Sequence, residues 1–170
     1  LGGIVASTSV KCGGNKLDQA IIDYIKRSHN VIIGDQTAEE IKKTLAAALP
    51  INPDVSGEVK GRDAISGLPV TIAVTTNELV RAIEYELKLI IKGIKSVLEQ
   101  TPPELASDII DNGIVMTGGT SGLAHFPALV EQQTGITVRV ADEAILAVAH
   151  GTGILLEHID EYKRSILVKR

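Results

Sequence analysis

Gly118-Gly119-Thr120-Ser121-Gly122 offers chemistry more directly than any other stretch of this sequence. It follows the short apolar run Ile114-Val-Met and precedes a helical pattern, which predicts a strand-to-helix turn. Glycines in such a turn let backbone N–H groups approach a phosphate or a nucleoside with no Cβ in the way. Open α/β sheets place their ligands at the carboxyl ends of the strands, where this turn falls. The run is not a Walker A loop, since no Lys follows, and it is not a complete G-x-G-x-x-G. On spacing alone, a tight turn that holds no ligand accounts for it equally well.

Glu39, Glu40 and Lys42 form the second candidate group, two acceptors and a donor within one helical turn. Thr37-x-x-Glu40 has the pattern of a capping box, and it predicts a helix running to about Leu49 before Pro50. Carboxylates in the first turns of a helix favour its dipole, so capping and solvation also explain them. His29, His125, His150 and His158 show neither H-x-x-x-H nor H-E-x-x-H spacing, and no metal site is expected. Cys12 is the only cysteine, which excludes an intrachain disulfide; like Met116 it reads as a core residue. Asp18, Asp23, Asp108, Asp111 and Asp142 are scattered, with Asp142 placed as a helix cap. No carboxylate pair can be nominated as general acid and base, and no G-x-S-x-G elbow occurs, so no catalytic residue is assigned.

The elements that position these residues follow from periodicity. Residues 2–12, rich in Val, Ser and Thr, predict one or two short strands broken by Gly13-Gly14-Asn15. Leu17, Ala20, Ile21, Tyr24 and Ile25 predict an amphipathic helix over 15–28. From Pro53 to Thr75 the period changes to two, predicting two strands joined around Ile65-Ser-Gly-Leu-Pro, a β-rich insert and candidate second lobe. Thr75-x-x-Glu78 opens the longest helix, with the stripe Leu79, Ile83, Leu87, Ile90, Ile94 and Val97, ending before Pro102-Pro103. A short helix near 105–110, a strand from Gly113, a helix over 124–134, a strand over 136–140 and a helix over 143–157 complete a β-α-β-α order. That order implies a parallel sheet with right-handed crossovers. The basic tail Tyr162–Arg170 is expected to be loosely held.

The 170 residues, 44% of them hydrophobic, suit one compact domain or two small lobes. Seventeen basic against twenty-one acidic side chains give a net charge of −4, and with one Phe, three Tyr and no Trp they argue against a nucleic-acid partner. No apolar run reaches the ~20 residues of a membrane span, and no charged n-region marks a signal peptide. A soluble intracellular chain is expected. Leu1-Gly-Gly-Ile-Val opens in mid-strand without Met, which predicts a piece of a longer protein.

Cys12-Gly-Gly-Asn-Lys-Leu-Asp-Gln-Ala-Ile-Ile and Ile33-Gly-Asp-Gln-Thr-Ala-Glu-Glu-Ile-Lys resemble bacterial rod-shape-determining actins of the MreB/Mbl type. The likeness continues through Gly61-Arg-Asp, Ser66-Gly-Leu-Pro, Thr101-Pro-Pro-Glu-Leu-Ala-Ser-Asp-Ile-Ile, Gly113-Ile-Val-Met-Thr-Gly-Gly and Val148-Ala-His-Gly-Thr-Gly. It implies an actin-like, ribonuclease H-like α/β fold in which this chain is the second half. Residues 1–49 and 76–160 would then form subdomain IIA, 50–75 a small inserted subdomain IIB, and 161–170 a tail.

The resemblance further implies ATP or ADP with Mg²⁺ in a cleft between two halves. The phosphate loops, metal aspartates and catalytic glutamate are expected upstream of this chain, which should not hydrolyse ATP alone. Adenosine contacts fall on Gly118, Gly119, Thr120 and Ser121, and ribose and adenine contacts near Glu39, Glu40 and Lys42. The family usually has a third glycine where this chain has Thr120. The implied function is an ATP-binding cytoskeletal protein that self-associates into filaments and organises cell-wall synthesis with the elongation machinery. It would lie in the cytoplasm at the inner membrane face, with membrane contact through regions this chain lacks and no nucleic acid bound. The alternative is the nucleotide-binding half of another actin, Hsp70 or sugar-kinase superfamily ATPase. The few residues after the final helix argue against a chaperone, which needs a substrate-binding domain there.

Overall fold

The computed structural model describes residues 3–160. Helix α1 (Gly14–His29) forms because Leu17, Ile21 and Ile25 recur every fourth residue and all three are buried. It ends at Asn30, in the left-handed region at φ 54, with Lys26, Arg27 and His29 in the last turn to complement the dipole. Strand β1 (Val31–Ile32) leads into α2 (Asp35–Thr44). Strands β2 (Ser56–Asp63) and β3 (Pro69–Thr75) then form an antiparallel hairpin, registered from Ser56↔Thr75 to Arg62↔Pro69. β1 pairs with the other edge of β2, giving the order β1-β2-β3. At that joint Gly61 leaves no room for a side chain: a Cβ would stand 2.8 Å from the Ile32 carbonyl oxygen.

The hairpin tip is an Asx turn. Asp63 Oδ1 accepts from the Ile65 N–H at 3.0 Å, the Ser66 N–H at 2.6 Å and the Ser66 hydroxyl at 2.8 Å. The Ser66 bonds, then that of Ile65, hold the Asp63 carboxyl below its ordinary range. The predicted capping box at the next element is present. Thr75 Oγ1 accepts from the Glu78 N–H at 3.2 Å, and the Thr75 N–H donates to Glu78 Oε2 at 2.8 Å. They open α3 (Thr76–Gln100), whose Leu79, Ile83, Leu87 and Ile91 are buried. Glu78 Oε1 lies 3.0 Å from His29 Nε2, so one carboxylate ties the start of α3 to the end of α1.

Helix α4 (Pro103–Asn112), strand β4 (Ile114–Met116), a 3-10 turn (Gly119–Gly122), helix α5 (Phe126–Thr134), strand β5 (Val138–Val140) and helix α6 (Ala147–Glu157) follow. β4 and β5 pair in parallel from Ile114↔Val138 to Met116↔Val140, the crossover being the turn and α5. One aliphatic core joins the parts: Val59 and Val74 of the hairpin pack in the same cluster as α1, α3 and Val130 of α5.

The structure corrects several element boundaries. Residues 3–12 form no strand, because strand propensity needs a ladder partner to act on; Thr8 and Val10 lie against α3, with Val10 filling the notch that Gly93 leaves. Helix α2 is capped by Gly34 and not by Thr37, and it stops at Thr44 instead of Leu49. The residues after it are diverted: the Ala48 N–H donates to the Ala124 carbonyl at 2.7 Å, and the Leu45 carbonyl accepts from Thr76 Oγ1 at 2.8 Å. The stripe of α3 widens to include the buried Ile91, with Ile90 and Ile94 half-buried against the same core. α6 begins at Ala147, after turns over 142–146, so Asp142 does not cap it. The expectation for Tyr162–Arg170 lies outside the described residues.

Replacing Thr75 with Ala removes the acceptor for the Glu78 N–H and is expected to cost about 1 kcal/mol, read from the urea midpoint by circular dichroism. Glu78→Ala also removes the contact to His29 and is expected to cost more.

Candidate functional site

The start of α1, the second half of α2 and the glycine turn face one another across a cleft of about 390 Å³. Gly14 and Asn15 come from α1, Glu39, Lys42 and Lys43 from α2, and Gly119, Thr120 and Gly122 from the turn. Leu17, Leu123 and the exposed Ile145 supply its apolar surface. The volume suits a nucleoside-sized ligand. The first-turn N–H groups of α1 give one wall a positive partial charge, since Gly13 caps the helix without a side-chain bond.

Lys42 is committed within this wall. Its Nζ donates to Asp18 Oδ2 at 2.9 Å and to the Gly14 carbonyl at 3.3 Å, and the pair is largely buried. Asp18 Oδ1 lies 2.7 Å from the same ammonium, although it receives no well-aligned hydrogen bond. Glu39, on the exposed rim, pairs with Lys43 at 2.6 Å; that hydrogen bond, then the Lys43 charge, holds its carboxyl below the usual range. Glu39 is therefore an anionic acceptor at neutral pH.

The turn is fixed from within. Gly118, at φ 85, donates its N–H to the Ala144 carbonyl at 2.7 Å. Its own carbonyl accepts from the Ser121 hydroxyl at 2.6 Å and the Ser121 N–H at 3.2 Å. A Cβ built on Gly14 would stand 3.8 Å from Thr120 Oγ1 and 3.4 Å from Lys42 Nζ, so turn, α1 and α2 meet at one point.

Of the residues singled out in the sequence, Glu39, Lys42, Gly119 and Thr120 line the cleft together. Gly118 and the buried Ser121 shape the turn behind it. Glu40 is exposed on α2 outside the lining, its carbonyl accepting from Thr44 Oγ1. All three stand in the middle or last turn of α2 and not in its first. Gly14, Asn15 and Asp18 are noted in the sequence as a break and a scattered carboxylate but not assigned to the site. The signal was available: a Gly-Gly pair opening an amphipathic helix leaves its N-terminus unobstructed. A larger groove of about 780 Å³ runs along α3 and shares none of these residues.

Comparisons with known proteins bear on this arrangement. The family model described as MreB/Mbl protein matches residues 1–164. The chain is similar to the cell shape-determining protein Mbl of Bacillus subtilis (strain 168), 40% identical over 161 residues, which are 95% of this chain and 48% of that one. It is likewise similar to the cell shape-determining protein MreB of Escherichia coli (strain K12), 41% identical over 94% of this chain and 46% of that one. Among solved structures, MreB5 of Spiroplasma citri bound to AMPPNP superposes with a TM-score of 0.89 at 31% identity, covering 98% of this chain and 50% of that one. The chain thus spans about half the length of the relatives it matches.

Lys42→Met leaves the Asp18 carboxylate without its cation and is expected to destabilise the fold by about 2 kcal/mol. Adding Asp18→Asn should recover part of that loss, and urea unfolding of both single variants and the double variant measures the coupling.

Proposed function

The chain belongs to the MreB/Mbl protein family and has its actin-like α/β fold, and we propose that it is half of an ATP-binding cytoskeletal protein. Its filaments would maintain bacterial cell shape by organising cell-wall synthesis together with the elongation machinery. The observation that carries this reading is the cleft where the glycine turn, the open N-terminus of α1 and the Lys42–Asp18 pair converge. A relative of the same fold was solved with AMPPNP. The turn at Gly118, Gly119, Thr120 and Ser121 would present backbone to the nucleoside, with Ile145 and Leu123 against the base. Glu39 would accept from ribose hydroxyls, with Glu40 and Lys42 nearby.

The residues present fit the nucleoside side of an ATP site. Among the described residues no three His, Cys, Asp or Glu side chains converge on a point that would hold a metal ion. Following the resemblance, we assign the magnesium that it implies, and hydrolysis with it, to the other half of the full-length protein. We assign residues 1–49 and 76–160 to the larger lobe, subdomain IIA, and 50–75 to the smaller, IIB. Filament growth would join the exposed Ile65 and Leu68 at the hairpin tip to the next molecule; a contact between unlike faces propagates into an open polymer. The working place of the full-length protein is the cytoplasm at the inner membrane face, reached through regions outside this chain. No described helix is long and apolar enough to cross a membrane.

Calorimetry of the chain with ADP tests the nucleotide reading. Gly119 has open space around a built Cβ and no positive φ, so Gly119→Val fills the cleft while the fold is retained. Weak binding is expected for the unmodified chain, and at least about a tenfold loss for the variant. Equal heats from both would show that ADP does not occupy this cleft. For the filament, Leu68→Asp places a charge in a contact that desolvates it, and it should keep the full-length protein in the supernatant on ATP-dependent sedimentation. Circular dichroism confirms that the variant is folded; pelleting like the unmodified protein would remove the tip from the contact.

A further inference from the structure

The groove along α3, away from the cleft, has the construction of a peptide-binding site. We propose that it docks an acidic amphipathic helix of a partner protein. Its floor is aliphatic, with Ala48, Val80, Leu87 and Ile91 buried and Leu129 of α5 half-buried beside them. Its rim carries Arg81, Lys88, Lys92 and Lys95 against Glu84 and Glu99. This local excess of positive charge stands on a chain whose net charge is −4. Lys88 is paired with Glu84 at 2.7 Å, and Lys95 Nζ reaches across to Gln133 Oε1 of α5 at 3.3 Å. Among the described residues neither Arg81 nor Lys92 has an ion-pair or side-chain hydrogen-bond partner.

The length of the groove accommodates a helix. From Arg81 to Lys95 the rim extends ~21 Å along α3, the length of about four helical turns. An amphipathic helix laid there would seat apolar residues at i, i+3/4 and i+7 on the floor and present carboxylates to the lysines. The chain's own acidic helix, α4, fits poorly. Its Leu105 and Ile109 are already half-buried, and among its large apolar side chains only Ile110 is exposed, against a floor of five aliphatic residues. A flat anionic surface would meet the cations but leave the floor uncovered.

The probes are two fluorescein-labelled peptides of about 16 residues, both with Leu at helical spacing, one flanked by Glu and the other by Lys. Anisotropy titrations with the chain should show the acidic peptide binding at least about tenfold more tightly than the basic one. Lys92→Glu/Lys95→Glu should reverse that preference. Leu129→Gln should weaken the acidic peptide severalfold at unchanged circular dichroism. No saturation by the acidic peptide, equal affinity for both, or indifference to the double substitution would each overturn the proposal. So would sedimentation equilibrium showing a dimer that the double variant loses, which would give the groove to a second copy. Co-sedimentation with phosphatidylglycerol vesicles, lost in the same variant, would give it to lipid and overturn the proposal equally.

Discussion

Leu17, Ile21 and Ile25 of α1 share one buried core with Leu79, Ile83 and Leu87 of α3, and the polar features of the molecule are placed by that aliphatic contact. Each of these side chains is a few per cent exposed or less, and burial on that scale stabilises by about 1.5–3 kcal/mol per residue. The consequence for the cleft is a matter of neighbours in sequence. Leu17 is in the core, so Asp18 stands at its edge; Ile41 of α2 is in the core, so Lys42 stands beside it. Packing of the first pair brings the second to 2.9 Å. The charge pair is an outcome of apolar packing and not its cause.

Polar groups elsewhere mark the places where the chain changes direction. Glu78 completes a capping box with Thr75 and meets His29 at the end of α1, so one side chain settles a strand end, a helix start and a helix end. Asn77 does similar work for the preceding loop, its side chain donating to the Ile51 carbonyl at 3.0 Å and accepting from the Ile51 N–H at 2.9 Å. Ser121 closes on Gly118, and Asp63 on Ser66. Near Cys12 the balance differs: burial first, then the Glu86 carboxylate, push its thiol up and favour the protonated form.

What could be read from the sequence is what local periodicity and local hydrogen bonding decide. The helix of Leu17, Ile21 and Ile25, the hairpin about Ile65-Ser-Gly-Leu-Pro and the capping box at Thr75 each depend on residues within a turn or two of one another. What misled depends on distant partners. Thr8 and Val10 lie in a stretch of strand composition but meet a helix, and Ala48 follows a helical pattern but donates its N–H to the Ala124 carbonyl. Glu39, Lys42 and the glycine turn were identified as single features. Their junction with Gly14 and Asp18 is set by the docking of α2 on α1, which no spacing in the sequence encodes.

Helix α3 runs unbroken for 25 residues from the hairpin to the edge of α4, ~37 Å at the usual rise. Its first turn is held by the capping box and by His29, and its middle turns by the buried Ile83, Leu87 and Ile91, while its last turns are only half-buried. A rod clamped over most of its length bends only beyond the clamp. The nine residues after Ile91 span ~14 Å, so a tilt of about 10° there would move the end by ~2 Å. A displacement of the hairpin is therefore absorbed by the core and not carried along the rod.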